Sequence, residues 1–146
     1  HGGLAARDSL FTGARSLSGI IAKQHAELAL TRCAVVGASH CGLTAQDQAY
    51  ISVDLCALSR NSRAGLKLVG GCSAIVTACD IDANGHMGVL LRDLNYRRVP
   101  RFGPEPFEQA EGGEGTALVS GGAKVLARNR IRANAHAGVA VIEYGS

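Results

Sequence analysis

Apolar and polar residues alternate over short runs of this chain, and the runs recur at a fixed long interval. The alternation is plainest in Val139-Ala140-Val141 and from Val125 to Ile131, where Arg128 and Arg130 interleave. A period of two sends successive side chains to opposite faces of a strand. The long interval is marked by a glycine followed by an aliphatic residue. Gly19-Ile20, Gly42-Leu43, Gly65-Leu66 and Gly88-Val89 follow at steps of 23 residues, and Gly138-Val139 closes the series. Gly115 falls one further period before Gly138, so only the step of 27 from Gly88 to Gly115 is irregular.

Other columns keep the same register. Cys33, Cys56 and Cys79 stand nine residues before their glycines, and Asn129 holds that place before Gly138. Val35, Leu58, Ile81 and Ile131 form a second column, and Leu30, Val53, Val76 and Leu126 a third. The pairs Leu43 and Ala45, Leu66 and Leu68, Val89 and Leu91, Val139 and Val141 follow the glycines, and Asn61, Asn84 and Asn134 precede them. A unit of this length is too short for two packed helices with turns, since helical repeats run from about 33 residues. Three strands of about four or five residues, joined at Gly and Asn corners, fill it. Stacked coils then set like residues about 4.8 Å apart. Aliphatic and Cys columns fall inside, Asn can build a hydrogen-bonded ladder at a corner, and Asn and Gly tolerate a left-handed backbone there.

The segments NRIRANAHAGVAVIEYG (129–145) and CDIDANGHMGVLLRD (79–93) resemble the N-x-I-x-x-N-x-x-x-G-V-x-V signature of the pectate-lyase-like β-helix superfamily. The nearest flavour is the intracellular β-helix repeat of F-box and related adaptor proteins. The resemblance implies an all-β, right-handed parallel β-helix solenoid of about five to six coils, a single domain over 1–146 with one long loop insertion at about 95–114. It says little about function, because the superfamily holds lyases, hydrolases, phage tailspikes and non-catalytic adaptors.

Composition supports a narrow, repeating interior: 19 Gly among 146 residues, three Phe, three Tyr and no Trp leave small and β-branched residues to tile the core. A net charge of +3 with scattered basic residues does not point to nucleic acid. No apolar run reaches the roughly 18 residues a membrane helix needs. Five Cys is an odd count, which favours a reduced, intracellular setting, cytoplasmic or, by analogy with adaptors, cytoskeletal or ciliary. The chain opens on His1 without a signal peptide, so the expectation is a piece of a longer polypeptide, its open solenoid ends covered by flanking sequence or by another chain.

The repeat stops after Leu91, and the stretch NYRRVPRFGPEPFEQAEGG (95–113) holds all three prolines. Proline cannot donate to a ladder, so a loop leaving the coil is expected. Its Tyr96, Arg97, Arg98, Arg101, Phe102 and Phe107 are the partner-contact candidates, since Arg and aromatics dominate hot spots.

Candidate chemistry is thin. The stacked Cys column lacks the Cys-x₂₋₄-Cys pairs of structural zinc, and small buried thiols suit the position better. Asp80-Ile81-Asp82-Ala83-Asn84-Gly85 mimics the opening of a calcium loop, but Leu91 stands where the bidentate Glu belongs. His40, His86 and His136 share a column best read as solvated turn residues. Asp47 and Asp93 share another, two coils and about 10 Å apart, near the span of inverting glycosidases. Gly70 lies between them, and the regular coils carry almost no aromatics to hold sugar rings. The reading is therefore a non-catalytic scaffold without cofactor or metal that meets protein partners in a larger assembly. The alternative is a fragment of a polysaccharide lyase or glycoside hydrolase that uses Asp47 and Asp93.

Overall fold

A computed structural model of the chain describes residues 3–15, 17–93, 107–108, 114–119 and 122–143; at 93, 107–108, 114–119, 122–124, 137 and 141–143 it describes the backbone only. Coil 1 carries β1 (Gly3–Arg7), β2 (Leu10–Thr12) and β3 (Ile20–Ala22). Coil 2 carries β4 (Glu27–Thr31), β5 (Ala34–Val36) and β6 (Leu43–Ala45), and coil 3 β7 (Tyr50–Asp54), β8 (Ala57–Ser59) and β9 (Leu66–Val69). Coil 4 carries β10 (Ser73–Thr77), β11 (Asp80–Asp82) and β12 (Met87–Asp93). The insertion then supplies β13 (Phe107–Glu108) and β14 (Glu114–Val119), before coil 5 with β15 (Gly122–Ala127), β16 (Arg130–Arg132) and β17 (Ala137–Glu143).

Like strands stack in parallel into three sheets: A (β1-β4-β7-β10-β15), B (β2-β5-β8-β11-β16) and C (β3-β6-β9-β12-β17). Five rungs in each sheet make about four full turns of a parallel β-solenoid. The registers reproduce the sequence columns: Leu30 pairs with Val53, Val53 with Val76 and Val76 with Leu126. No helix among the described residues is long and apolar enough to cross a membrane.

The interior forms because alternate strand residues point inward and meet their counterparts from two other sheets. Val35, Leu58, Ile81 and Ile131 from sheet B, Leu43, Leu66, Val89, Leu68 and Leu91 from sheet C, and Ile51, Val53 and Val76 from sheet A lose nearly all exposure. Burying each such side chain contributes roughly 1.5–3 kcal/mol.

The corner between sheets B and C needs more than apolar filling, because its backbone turns away from the ladder. Asn61 accepts the Ala38 N–H at Oδ1 (3.0 Å), Asn84 accepts the Asn61 N–H (3.0 Å), and Asn134 accepts the Asn84 N–H (3.0 Å). Each amide also donates forward to the next Asn Oδ1, Asn61 to Asn84 at 3.0 Å and Asn84 to Asn134 at 2.9 Å. The same Nδ2 atoms donate back to the carbonyls of Val35, Leu58 and Ile81 at 3.2, 3.0 and 3.1 Å. The expected Asn ladder is present, and it is fully buried.

This ladder corrects the reason for the glycine column. Gly19, Gly42, Gly65 and Gly88 do not adopt a left-handed backbone; at Gly42, Gly65 and Gly88 the Asn ladder passes where a β-carbon would stand, and at Gly19 the Val35 side chain and the Gly42 carbonyl do. A Cβ on Gly65 would lie 2.7 Å from Asn84 Nδ2, 2.7 Å from Ile81 Cγ2 and 3.0 Å from the Gly88 carbonyl oxygen. The left-handed positions form other columns, one per corner. Asp8, Arg32, Leu55, Ala78 and Arg128 hold the A–B corner at φ of 50 to 56°. Gly13, Gly37, Arg60, Ala83 and Ala133 follow sheet B, and Gln24, Asp47 and Gly70 follow sheet C. Most are not glycine, so composition does not reveal them.

Two further expectations change. Gly115 does not begin a coil: it sits in β14, which runs antiparallel to β15 with Gly115 opposite Leu126. The apparent extra period is therefore a hairpin strand returning onto sheet A, and the rung count stays at five. The stretch 95–114 is also not all loop, since β13 pairs antiparallel with β16 through Phe107 opposite Ile131. Strands from the insertion thus lie on the last rungs of sheets A and B, where parallel addition would otherwise continue.

Three substitutions separate these roles in denaturant unfolding. Gly65→Ala should cost about 3 kcal/mol by forcing the Asn ladder apart. Gly70→Ala meets no atom within 4 Å at φ +61° and should cost only about 1 kcal/mol, while Ala83→Gly, at φ 54°, should stabilise by about 0.5 kcal/mol as relieved strain exceeds added chain entropy. In the same assay Asn84→Ala should cost about 3 kcal/mol, because it strips a partner from the Asn61 N–H and the Leu58 carbonyl in a buried corner.

Candidate interaction surface

The A–B corner is built from a left-handed residue followed by the Cys column and then by sheet B. The Cys side chains turn inward and take up a backbone role: Cys33 N–H donates to Cys56 Sγ at 3.4 Å, and Cys56 N–H to Cys79 Sγ at 3.4 Å. On the next rung Asn129 Oδ1 accepts the Cys79 N–H at 2.9 Å. The column is thus a second ladder in which thiol and amide interchange, which adds a hydrogen-bonding role to that of small buried hydrophobe. Within the pair, the hydrogen bond from Cys79 pulls the Cys56 thiol down to about 7, while that same contact and then burial push Cys79 upward. All five cysteines are buried thiols, none in a disulfide. Among the described residues no group of three or more His, Cys, Asp or Glu is placed to hold a metal.

Because the Cys column tucks in and sheet B presents Ala34 and Ala57, the corner is a trough of about 530 Å³ between the ridge of Arg32, Leu55 and Ala78 and the carboxylate of Asp80. Arg32 pairs with Asp8 at its rim (Nε to Oδ1 2.8 Å) and holds that carboxyl below its usual range. Both side chains are exposed, so the pair contributes little to stability.

Sheet A presents an outer face built largely of small residues. Its central column reads Ala5, Ala29, Ser52, Ile75 and Val125 in register. Tyr50 and Ile75 lie diagonally across adjacent rungs and keep 45% and 40% exposure, with Leu55 at 52% on the neighbouring corner. A shallow groove of about 350 Å³ runs beside them over Gly3, Ala5, Glu27, Ala29, Tyr50 and Ser52. Sequence reasoning passed over these residues, although Tyr50 and Ile75 signal themselves as bulky apolar residues at polar places in the alternation.

The partner-contact candidates Tyr96, Arg97, Arg98, Arg101 and Phe102 lie outside the described residues, and Phe107 opens β13, its backbone tied to sheet B. Asp47 is exposed at a left-handed corner with φ 60°, and Asp93 ends β12 two rungs further on, with Gly70 between them as expected. Glu143 stands opposite Asp93 on the fifth rung, an acid in the same column that the sequence reading missed. Its signal was the 50-residue offset that also relates Gly88 to Gly138. The solvated histidines hold their column, and the His86 and His136 rings meet edge to face with centroids 4.5 Å apart.

No curated protein and no solved structure matches the chain. A family model described as the right handed beta helix region matches residues 7–146. The match runs from the last residue of β1 through every later strand of the solenoid, and the chain belongs to the right-handed β-helix family.

Proposed function

We propose that this β-helix is a non-catalytic scaffold that presents a rigid wall to protein partners in a larger assembly. The observation that carries the reading is the outer face of sheet A, where Tyr50 and Ile75 stand exposed beside the small residues Ala29 and Ser52. Neither side chain fills the interior, and exposed bulky apolar groups on a flat, rigid face suit protein contact. The Arg and aromatic residues of the insertion, Tyr96, Arg97, Arg98, Arg101, Phe102 and Phe107, are a second contact region within this proposal. The resemblance to intracellular adaptor repeats favours a reduced compartment, cytoplasmic or cytoskeletal, and five buried thiols suit that setting.

One arrangement supports a second reading, a carbohydrate-active β-helix fragment: Asp47 and Asp93 share a column two rungs apart, with Glu143 beside Asp93. Reducing-end release from acidic and neutral polysaccharides separates the two. The scaffold reading expects no release above blank; release that falls in Asp47→Asn or Asp93→Asn would overturn it. A stability measurement tests the wall independently. Ile75→Ser should shift unfolding by less than about 0.5 kcal/mol, since the side chain is surface, whereas Ile81→Ala should cost about 3 kcal/mol. An equal cost at both positions would make Ile75 a structural residue.

A further inference from the structure

The corner between sheets B and C carries a charge pattern that neither the wall nor the acid column uses. Its five turns span residues 13–19, 37–42, 60–65, 83–86 and 133–136, and they contain Arg15, His40, Arg60, Arg63, His86 and His136 but no Asp or Glu. All six side chains are exposed. Three of the six, Arg15, Arg60 and Arg63, carry fixed positive charge, as much as the net +3 of the whole chain, with no acid in the same turns.

The turns are held in strict register beneath those side chains. Arg63 N–H donates to the His40 carbonyl at 3.0 Å, His86 N–H to that of Arg63 at 3.2 Å, and His136 N–H to that of His86 at 2.9 Å. The buried Asn ladder lies directly under them. His40, Arg63, His86 and His136 therefore rise from successive rungs at a pitch of about 4.8 Å, and the ring contact between His86 and His136 shows that the side chains follow it. Arg60 flanks Arg63 in the same turn. Leu17, 62% exposed, extends the column by one rung at its far end. Asp80 and Asp82 lie outside these turns, in β11, where they stand opposite Arg130 and Arg132 of β16.

We infer that this corner is a docking line for an extended acidic peptide segment of a partner protein, lying along the solenoid axis with an apolar residue against Leu17. The inference rests on the scaffold reading and names the chemistry of its partner. Arg offers the planar fork that takes carboxylates two-pronged, and imidazole keeps an N–H donor in either protonation state. The line from Leu17 to His136 spans about 19 Å, the length of about six extended residues. Nucleic acid fits less well, because the turns offer no Phe, Tyr or Trp for base stacking. That same lack leaves no platform for sugar rings.

The test is fluorescence anisotropy with a labelled peptide of one leucine followed by about six glutamates, titrated with the intact chain at low salt. Saturable binding is expected that weakens as salt rises. Arg60→Glu with Arg63→Glu should weaken it at least about tenfold, the factor set by losing roughly 1.4 kcal/mol. Lys23→Glu, at a different corner, should leave it within twofold, about 0.4 kcal/mol. Circular dichroism should show the same fold in each variant. Failure to saturate, or wild-type affinity in the double variant, would overturn the docking line. Displacement by poly-uridine RNA or a sulfated glycan at lower concentration than by unlabelled peptide would overturn the choice of a protein partner. None of these outcomes touches the scaffold reading, which fails on polysaccharide turnover instead.

Discussion

Everything in this fold depends on hydrogen bonds between a side-chain amide of one coil and the backbone N–H of the coil before it. Strand ladders satisfy the backbone along the three walls, but at the corners the chain turns and its polar groups face the interior. Asn61, Asn84 and Asn134 meet that demand at the B–C corner, each accepting a backbone N–H and donating to a carbonyl of the previous rung. Buried amides without such partners would cost several kcal/mol each, so the ladder fixes register as well as stability. A one-residue slip would take every Asn from its acceptor and every aliphatic residue from the core.

The other regularities follow from that ladder. Gly42, Gly65 and Gly88 recur beside it because a β-carbon would collide with the Asn amide of the next coil. The A–B corner solves the same problem with thiols, and Asn129 takes over the column after Cys79 with a stronger acceptor. Its Nδ2 reaches back to the Val76 carbonyl at 2.9 Å, as the other ladder Asn residues reach back to theirs. Rigid corners in turn set the pitch at which surface residues are displayed, whether the apolar column of sheet A or the basic line above the Asn ladder. The scaffold reading uses that property directly, because a wall of fixed spacing needs no moving part to hold a partner.

Much of this was legible in the residues themselves. The 23-residue step, the inward columns of Val35, Leu58, Ile81 and Ile131, and the Asn corner were all readable, because stacking repeats a residue's surroundings once per coil. Three things were not. The glycines were read as left-handed, since sequence cannot distinguish a conformational need from a steric one. The true left-handed columns stayed hidden because Arg32, Leu55, Ala78 and Ala83 are held in them by backbone hydrogen bonds to the next coil, against their own preference. Gly115 imitated a coil because its spacing from Gly138 matched, whereas β14 runs antiparallel to β15 and obeys no repeat. Of the surface, Asp47 and Asp93 were placed correctly in one column, but Tyr50, Ile75 and Glu143 were overlooked. Inward residues repeat once per coil because their surroundings do, whereas residues that face out are under no such constraint.

Native-state hydrogen exchange by NMR tests the central role of the ladders most directly. The amides of Ala38, Asn61 and Asn84 donate to side-chain oxygens, and those of Cys33 and Cys56 to thiols, although all five lie in turns between strands. If these ladders hold the solenoid together, the three amides bonded to Asn should exchange as slowly as the strand amides of Ile51 and Val53, through global unfolding. Exchange of those three at the rate of exposed turn amides, with the strands still protected, would contradict the account.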